Sequence, residues 1–562
     1  MSKLEDLNCF CRHFVVTTYR TLPTFEYPSW TGILWMGSTP PAGWRAWGVV
    51  LLLGLTAPFV AAGSSRPRAE ILHEIQQLLQ QDNLTQAENQ VAEALKEFPR
   101  DAAFYDLLGV VEAKKGNHQS AESAFLKAID LDPLLTGAYL NLGHLYQEKG
   151  AVDRDAPQKA LATYGKLLRF DPGNVEANYQ SALLLERRRA FRESLNHLSR
   201  LQAKDQETAQ ALSVRCADLA GLGVRNEANV AVDRLLNSPD LSEPDVLLVL
   251  PVLEDVRWSD LEERLLEGAV RRQVAGFDLF LALGRLYPRQ NQWDEARATL
   301  EKAVEARPQS AEPLIELARV ADKQRDYQGA LGYLAHARDL DPDNAAIHFF
   351  FGMVCVEEDL LEEAYRALQQ AVSLAPDNAY YNYALGAVAQ HRANPGDAVP
   401  FFKKYCALRP LDPRGRLQLG ITYFQGHQDD LAEKELKDAV QHRETAAAAH
   451  FFLGRIANQK GAYPEALREL EQALAAEPNY ADPYAEEGII YLKQKAYVAA
   501  ETALRRALAI DPNHYAANLN LMMLYQRTGD TRAGEQAKRF EEVKKKRAES
   551  AKLSLRSIEI VR

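Results

Sequence analysis

Two pairs of basic side chains in this 562-residue chain stand 34 residues apart, Arg285 with Arg319 and Arg289 with Lys323. Three rings keep the same interval, Phe349, Tyr383 and, two intervals on, Phe451; Tyr380 and Phe424 lie in the same stretch. If the fold brings such positions onto one face, the cations would grip carboxylate or other acidic groups. The rings would offer a large apolar area with little rotamer entropy to lose, as interface anchors do. Asp278, Glu312 and Asp322 are close to the four basic residues. Internal ion pairing is therefore the favoured reading there, with docking of acidic groups as the alternative. For the rings, an interaction surface and packing between structural units stand as equal readings.

Other chemistry is hard to find. There is no phosphate-cradling glycine loop, no zinc-ligand spacing and no nucleophile elbow. The hexapeptide DLDPDN at 339–344 begins like a calcium loop. However, Asn344 stands where the sixth loop position takes glycine, and Phe350 where the twelfth takes glutamate. The 12 histidines are scattered. Cys216, Cys355 and Cys406 read as isolated small apolar residues, Cys216 being too far from Cys355 for a bridge. An enzyme, a metal site and a cofactor are not expected. With a formal charge of −11, the chain is not basic enough to track nucleic acid.

The elements that would position the spaced residues follow from a repeat. Pro342, Pro376, Pro410, Pro478 and Pro512 lie on a 34-residue grid, with only Glu444 lacking the ring. Gly352, Gly386, Gly420, Gly454 and Gly488 stand ten residues after grid points, and Ala364, Ala398, Ala432, Ala466 and Ala500 stand 22 after. A fixed period of this size means a stacked array. In the copy Ala345–Asn378, an apolar first helix carries Gly352, where glycine costs about 1 kcal/mol against alanine. That cost is tolerable if the missing side chain lets a second helix approach closely. Leu361, Ala364, Tyr365, Leu368, Ala371 and Val372 form one helical stripe, and Pro376 ends the second helix. Each unit is then two antiparallel helices that must stack on their neighbours to bury both faces.

These residues resemble the tetratricopeptide repeat. With the proline numbered 32, Ala102–Leu135 carries the family pattern in Tyr105, Leu108, Gly109, Ala121, Phe125, Ala128 and Pro133, and Tyr484–Pro512 carries it again. The resemblance covers residues 68–548, about 14 units, and implies an all-α fold, a right-handed superhelical solenoid of helix-turn-helix repeats. It also implies partner proteins or peptides held in a concave groove lined by first helices, with Phe349, Tyr383 and Phe451 at position 5 pointing into it. Two family modes of gripping peptides are not supported. Position 9, where cochaperone arrays place asparagine, holds Val110, Leu183, Arg285, Arg319, Met353, Ala387, Ile421 and Arg455. The asparagine ladder at position 6, known from arrays of the O-linked N-acetylglucosamine transferase type, is reduced to Asn141 and Asn520. His348 and His450 share position 4, where the family places a packed ring.

Residues 1–62 stand outside the array. The 17-residue apolar run Ala46–Ala62 follows Arg45 and is short for a membrane span. Residues 36–62 read as a signal peptide starting at Met36 and cleaved after Ala62, with an N-terminal anchor in the cytoplasmic membrane as the alternative. Residues 1–35 read as an upstream extension or a mis-annotated start, and 63–67 as a linker. The expected location is outside the cytoplasm of a bacterium, periplasmic or extracellular. Within the array, Thr136–Asn174 has five extra residues near AVDRDAP, and 209–276 is degenerate, with Cys216 and Leu250 replacing the glycine. Pro251 is expected to kink its helix. Diverged repeats with compensating packing and a hinge are both open there. For the tail 549–562, disorder and a docked strand are both open. The overall expectation is a non-enzymatic scaffold for other proteins, with an envelope assembly or secretion factor, or a non-catalytic subunit of an envelope enzyme complex, as alternatives.

Overall fold

A computed structural model describes residues 67–150, 153–392 and 395–560, and the run Ala46–Ala62 lies outside them. The described residues form 29 α-helices, two short 3-10 turns and no strand. The fold is an all-α solenoid of helical hairpins, as the repeat predicts. It divides into two units, the first ending at Asn291 and the second starting at Gln292. The first holds α1 (Arg68–Gln80) to α14 (Phe277–Leu286), and the second α15 (Trp293–Ala306) to α29 (Ala533–Ile560). The backbone of 549–560 continues α29, where the sequence left disorder and a strand open.

The hairpin follows from the grid. In one repeat α18 (Ala345–Glu357) packs on α19 (Leu361–Leu374). A Cβ added to Gly352 would stand 2.8 Å from the side chain of Leu368 on α19. The same seam recurs between Gly386 and Phe402 at 2.9 Å and between Gly420 and Leu436 at 2.7 Å. The grid alanines Ala364, Ala398, Ala432, Ala466 and Ala500 are all 0% exposed. Glycine on one helix and alanine on the other thus set the distance at which a large side chain can seal the seam.

The turn between the two helices uses a left-handed residue at position 15. It is glycine at Gly116, Gly223, Gly461 and Gly529, but Asp82, Arg189, Arg257, Asn291, Arg325, Asp359, His427 and Lys495 take the same conformation elsewhere. At a Cβ-bearing residue this conformation costs roughly 1–2 kcal/mol. The inserted repeat departs from the pattern: Gly150 at this position has φ −58°. Several first helices start on side-chain caps, as where Asn344 Oδ1 accepts from Ala346 N at 3.1 Å and Asn378 Oδ1 from Tyr380 N at 3.0 Å.

The degenerate stretch is the most thoroughly packed part of the first unit. α10 (Ala209–Gly221) has ten buried residues, on every side of the helix. It is held between α7 (Val175–Arg187), α8 (Phe191–Ser199), α11 (Arg225–Asn237) and α12 (Glu243–Asp255). Small groups at Ser213, Ala217 and Ala220 let these helices close in, and Gly221 lies against the ring of Phe191. Compensated packing is therefore the outcome. The hinge is not supported, because a helix buried on all sides has no loose face to bend around. Pro251 is exposed, and α12 extends through it from Glu243 to Asp255.

Candidate partner-binding face

First helices of neighbouring repeats touch one another in both units: α10 lies on α12, and α22 (Pro413–Gln425) on both α20 (Ala379–His391) and α24 (Arg443–Gln459). They form the face on which residues 34 apart come into register. In the second unit Phe349 stacks on Tyr381 with centroids 4.6 Å apart. Tyr383 packs on Tyr405 at 4.9 Å and on Phe402 at 5.7 Å, and burial pushes its hydroxyl up to about 12. Phe424 and Phe451 are 2% and 3% exposed, whereas Tyr380 is 39% exposed.

An open position for every ring at position 5 is thus corrected at Phe451, which packs on Phe452 and Tyr480 at 5.2 and 5.4 Å. The Arg455 guanidinium covers Phe424 at 4.9 Å and Phe451 at 5.8 Å. The reason lies in the neighbours. Ala387 and Ile421 at position 9 are buried, so adjacent first helices close over these rings. A buried polar step joins them: Gln390 Nε2 donates to Thr422 Oγ1 at 2.9 Å, and Thr422 Oγ1 donates to the Gln418 carbonyl at 2.7 Å. Gln390 and Thr422 were not singled out by sequence. Their signal was a polar residue at slots that are apolar in neighbouring repeats.

The four basic residues fall two to a unit, with Arg285 and Arg289 in the first and Arg319 and Lys323 in the second. Arg289 donates to Glu254 Oε1 at 2.7 Å, and Arg319 Nη1 lies 3.5 Å from Glu316 Oε2. Internal pairing is the arrangement for these two, although with acids other than those nearest in the sequence pattern. Burial pushes the Asp322 carboxyl up, against the pull of Lys323.

On the first unit's face the groups are polar and mutually engaged. Asn141 Nδ2 donates to Asp106 Oδ1 at 3.0 Å, so its amide is committed within the array; in the second unit Asn520 likewise donates to the Ala516 carbonyl at 2.8 Å. His144 Nε2 and Glu176 Oε1 are 3.2 Å apart, and Gln180 bridges Glu176 at 2.8 Å and Gln147 at 3.0 Å. Further along, Tyr179, Leu183 and Leu248 pack on one apolar cluster with Ala211 and Val214, joining α7, α10 and α12. Arg189 pairs with Asp255 across the same stretch.

Cys216 and Cys355 are buried and Cys406 partly so, without a disulfide. Burial raises all three thiols, Cys355 to about 12 and Cys406 to about 11, the opposite of what activates a nucleophile. At position 4, His348 Nε2 lies 2.8 Å from the Pro342 carbonyl and His450 Nδ1 2.7 Å from Glu469 Oε2. Among the described residues no three His, Cys, Asp or Glu side chains come together as metal ligands.

Tetratricopeptide repeat models match residues 74–135, 263–311, 281–345, 417–485 and 461–515, and a second such model matches 323–388. No curated protein matches the sequence. Among solved structures, the chain is similar to the APC/C hetero-tetramer Cut9–Hcn1, at 16% identity over 75% of this chain and 96% of that one, with a TM-score of 0.35. It is also similar to pilF of Pseudomonas aeruginosa, at 22% identity over 39% of this chain and 96% of that one, with a TM-score of 0.32. A third is MamA of Desulfovibrio magneticus RS-1, at 19% identity over 29% and 93%, with a TM-score of 0.28.

Proposed function

For this chain, which belongs to the tetratricopeptide repeat family, we propose a non-enzymatic scaffold that holds segments of other proteins along its first-helix face. Proteins of this family bind other proteins or peptides. The observation that carries the reading here is Tyr380. It leaves a large ring 39% exposed on a first helix, one turn from the half-buried Tyr383, with the Arg409 guanidinium 5.2 Å from its centroid. An exposed ring backed by rigid helices is what an anchoring partner residue needs.

The test is site-specific photo-crosslinking in cells of the source organism. A crosslinker at Tyr380 should capture a discrete partner. One at Val498, 83% exposed on a second helix, should not. Equal capture at both positions, or at neither, would remove the first-helix face as the docking surface.

We place this scaffold outside the cytoplasm, on the strength of the apolar run Ala46–Ala62 and the small residues that end it. Mass spectrometry of the mature protein should find an N-terminus near Gly63. A chain that keeps the run and sediments with membranes would favour the second reading, an anchored envelope assembly or secretion factor using the same face. A chain starting at Met1 in the cytoplasm would overturn both.

A further inference from the structure

Position 10 of the repeat is an apolar core slot. In the first unit, beyond the exposed Gln77 of the end repeat, it holds Val111, Leu145, Leu184, Val252 and Leu286, all buried, and Asp218 in α10. Asp218 is 0% exposed, and neither carboxylate oxygen has a hydrogen-bond partner. Thr422, the polar residue in this slot of the second unit, both donates and accepts. The contrast matters because an ionised carboxyl without partners is among the costliest groups to bury.

The surroundings suit a neutral acid. The Ser194 hydroxyl of α8, beside Asp218, gives its hydrogen to the Ala182 carbonyl at 2.9 Å, so it offers the carboxylate only a weak compensation for burial. Glu186 of α7 adds a like charge, and Arg215 on α10 itself opposes it. The other charges on the packed helices are directed elsewhere. His197 of α8 is engaged with Asn178, and Asp245 of α12 with Ser242. Glu254 pairs with Arg289 and Asp255 with Arg189. On α11, Arg225 pairs with Asp260 and Arg234 with Glu207, while Glu227 and Asp233 there, Arg187 of α7 and Arg192 and Glu193 of α8 are exposed.

We propose that Asp218 is a proton-operated latch: protonated, it keeps α7, α10 and α12 sealed together and the first-helix face of residues 175–255 closed; ionised, it loosens them. Because these helices share one apolar cluster, loosening α10 frees Tyr179, Leu183 and Leu248 from it. The proposal is independent of which partner the scaffold holds.

Burial, the dominant cause, and the like charge of Glu186 outweigh the opposing pull of Ser194 and Arg215 and push the Asp218 carboxyl from 3.8 up to about 8. The packed state therefore keeps a proton that the opened state releases above about pH 4. Packing is strongest in acid, weakens by up to about tenfold in the opening equilibrium per pH unit, and levels off near pH 8.

Hydrogen exchange of the full chain, followed by mass spectrometry from pH 5.5 to 8.5 and corrected for intrinsic rates, tests this. Peptides from α7, α10 and α12 should open progressively as pH rises in the wild type. Asp218→Leu, which restores the residue type of the slot, should be better protected at pH 8 and much less pH-dependent than the wild type. Asp218→Asn, the same shape without the charge, should show the same reduced pH dependence, and keeps the test valid if the leucine variant fails to fold. The remaining raised acids are untouched by either variant, so the difference isolates Asp218. A wild-type profile parallel to both variants, or a leucine variant less protected at pH 8, would overturn the latch.

Discussion

The side-chain amide of Asn382 donates to the carbonyl of Pro376, 3.0 Å away in the preceding repeat, and to that of Asn378 at 2.8 Å. The same tie joins Asn178 to Pro172 at 2.9 Å and Asn518 to Pro512 at 3.1 Å. Tyrosine makes it from Tyr105 to Pro99 and from Tyr139 to Pro133. Where position 4 carries a donor that reaches that carbonyl, it is thus a polar rivet on the grid proline. Asn382→Ala removes the donor and leaves a part-buried carbonyl unpaired. We expect a loss of about 1–3 kcal/mol in urea unfolding. An unchanged midpoint would make the rivet incidental.

Gly386 should tolerate no large side chain. A Cβ there lies 2.9 Å from Phe402, which is fully buried and has no room to retreat. Gly386→Leu is expected to cost roughly 1–3 kcal/mol or more through overpacking. An unaltered melting temperature would refute the glycine seam.

The left-handed turn position predicts a gain. Arg325 holds φ 60° in a place where Gly461 and Gly529 do so freely. Arg325→Gly should raise stability by up to about 1 kcal/mol, the relief of left-handed strain less the added chain entropy of glycine. Gly461→Val should lower stability. A loss on Arg325→Gly in denaturant titrations would mean that the arginine side chain contributes more than its backbone costs.

Two rings should separate folding from binding. Phe451→Ala empties a buried site and should cost about 3–5 kcal/mol of stability. Tyr380→Ala should leave melting nearly unchanged while weakening partner binding by about 1–3 kcal/mol. If Tyr380→Ala melts early and binds normally, the ring belongs to the core and the proposed face loses its anchor.

Asp106 supplies a second pH effect, in a narrower window. Burial pushes its carboxyl up to about 6, partly offset by the Asn141 amide. The folded state then holds a proton that the unfolded chain has lost above about pH 4, so stability should fall between about pH 4 and 6 and then level off. Melting curves of Asp106→Asn should fall less steeply over that window than those of the wild type. Equal slopes in the variant and the wild type would show that Asp106 titrates normally.

The period of the array and the composition of its seams were determined by sequence alone. Stacked repeats make each position's environment nearly the same from copy to copy, so proline, glycine and alanine at fixed spacing specify the hairpin with no knowledge of distant contacts. Gly352 against Leu368, and the fully buried Ala364, are where the grid places them. What only tertiary structure decided are the departures from the repeat. Whether a ring at position 5 stays partly open, as at Tyr383, or is buried, as at Phe451, depends on how closely the next first helix approaches, and that distance is set by side chains a full repeat away. The same holds for 209–276. Missing markers left a hinge open, yet small side chains along α10 let four neighbouring helices close the space and carried Asp218 into it. Periodicity reports what each position usually is; the sum of neighbouring volumes decides what an exceptional residue must endure.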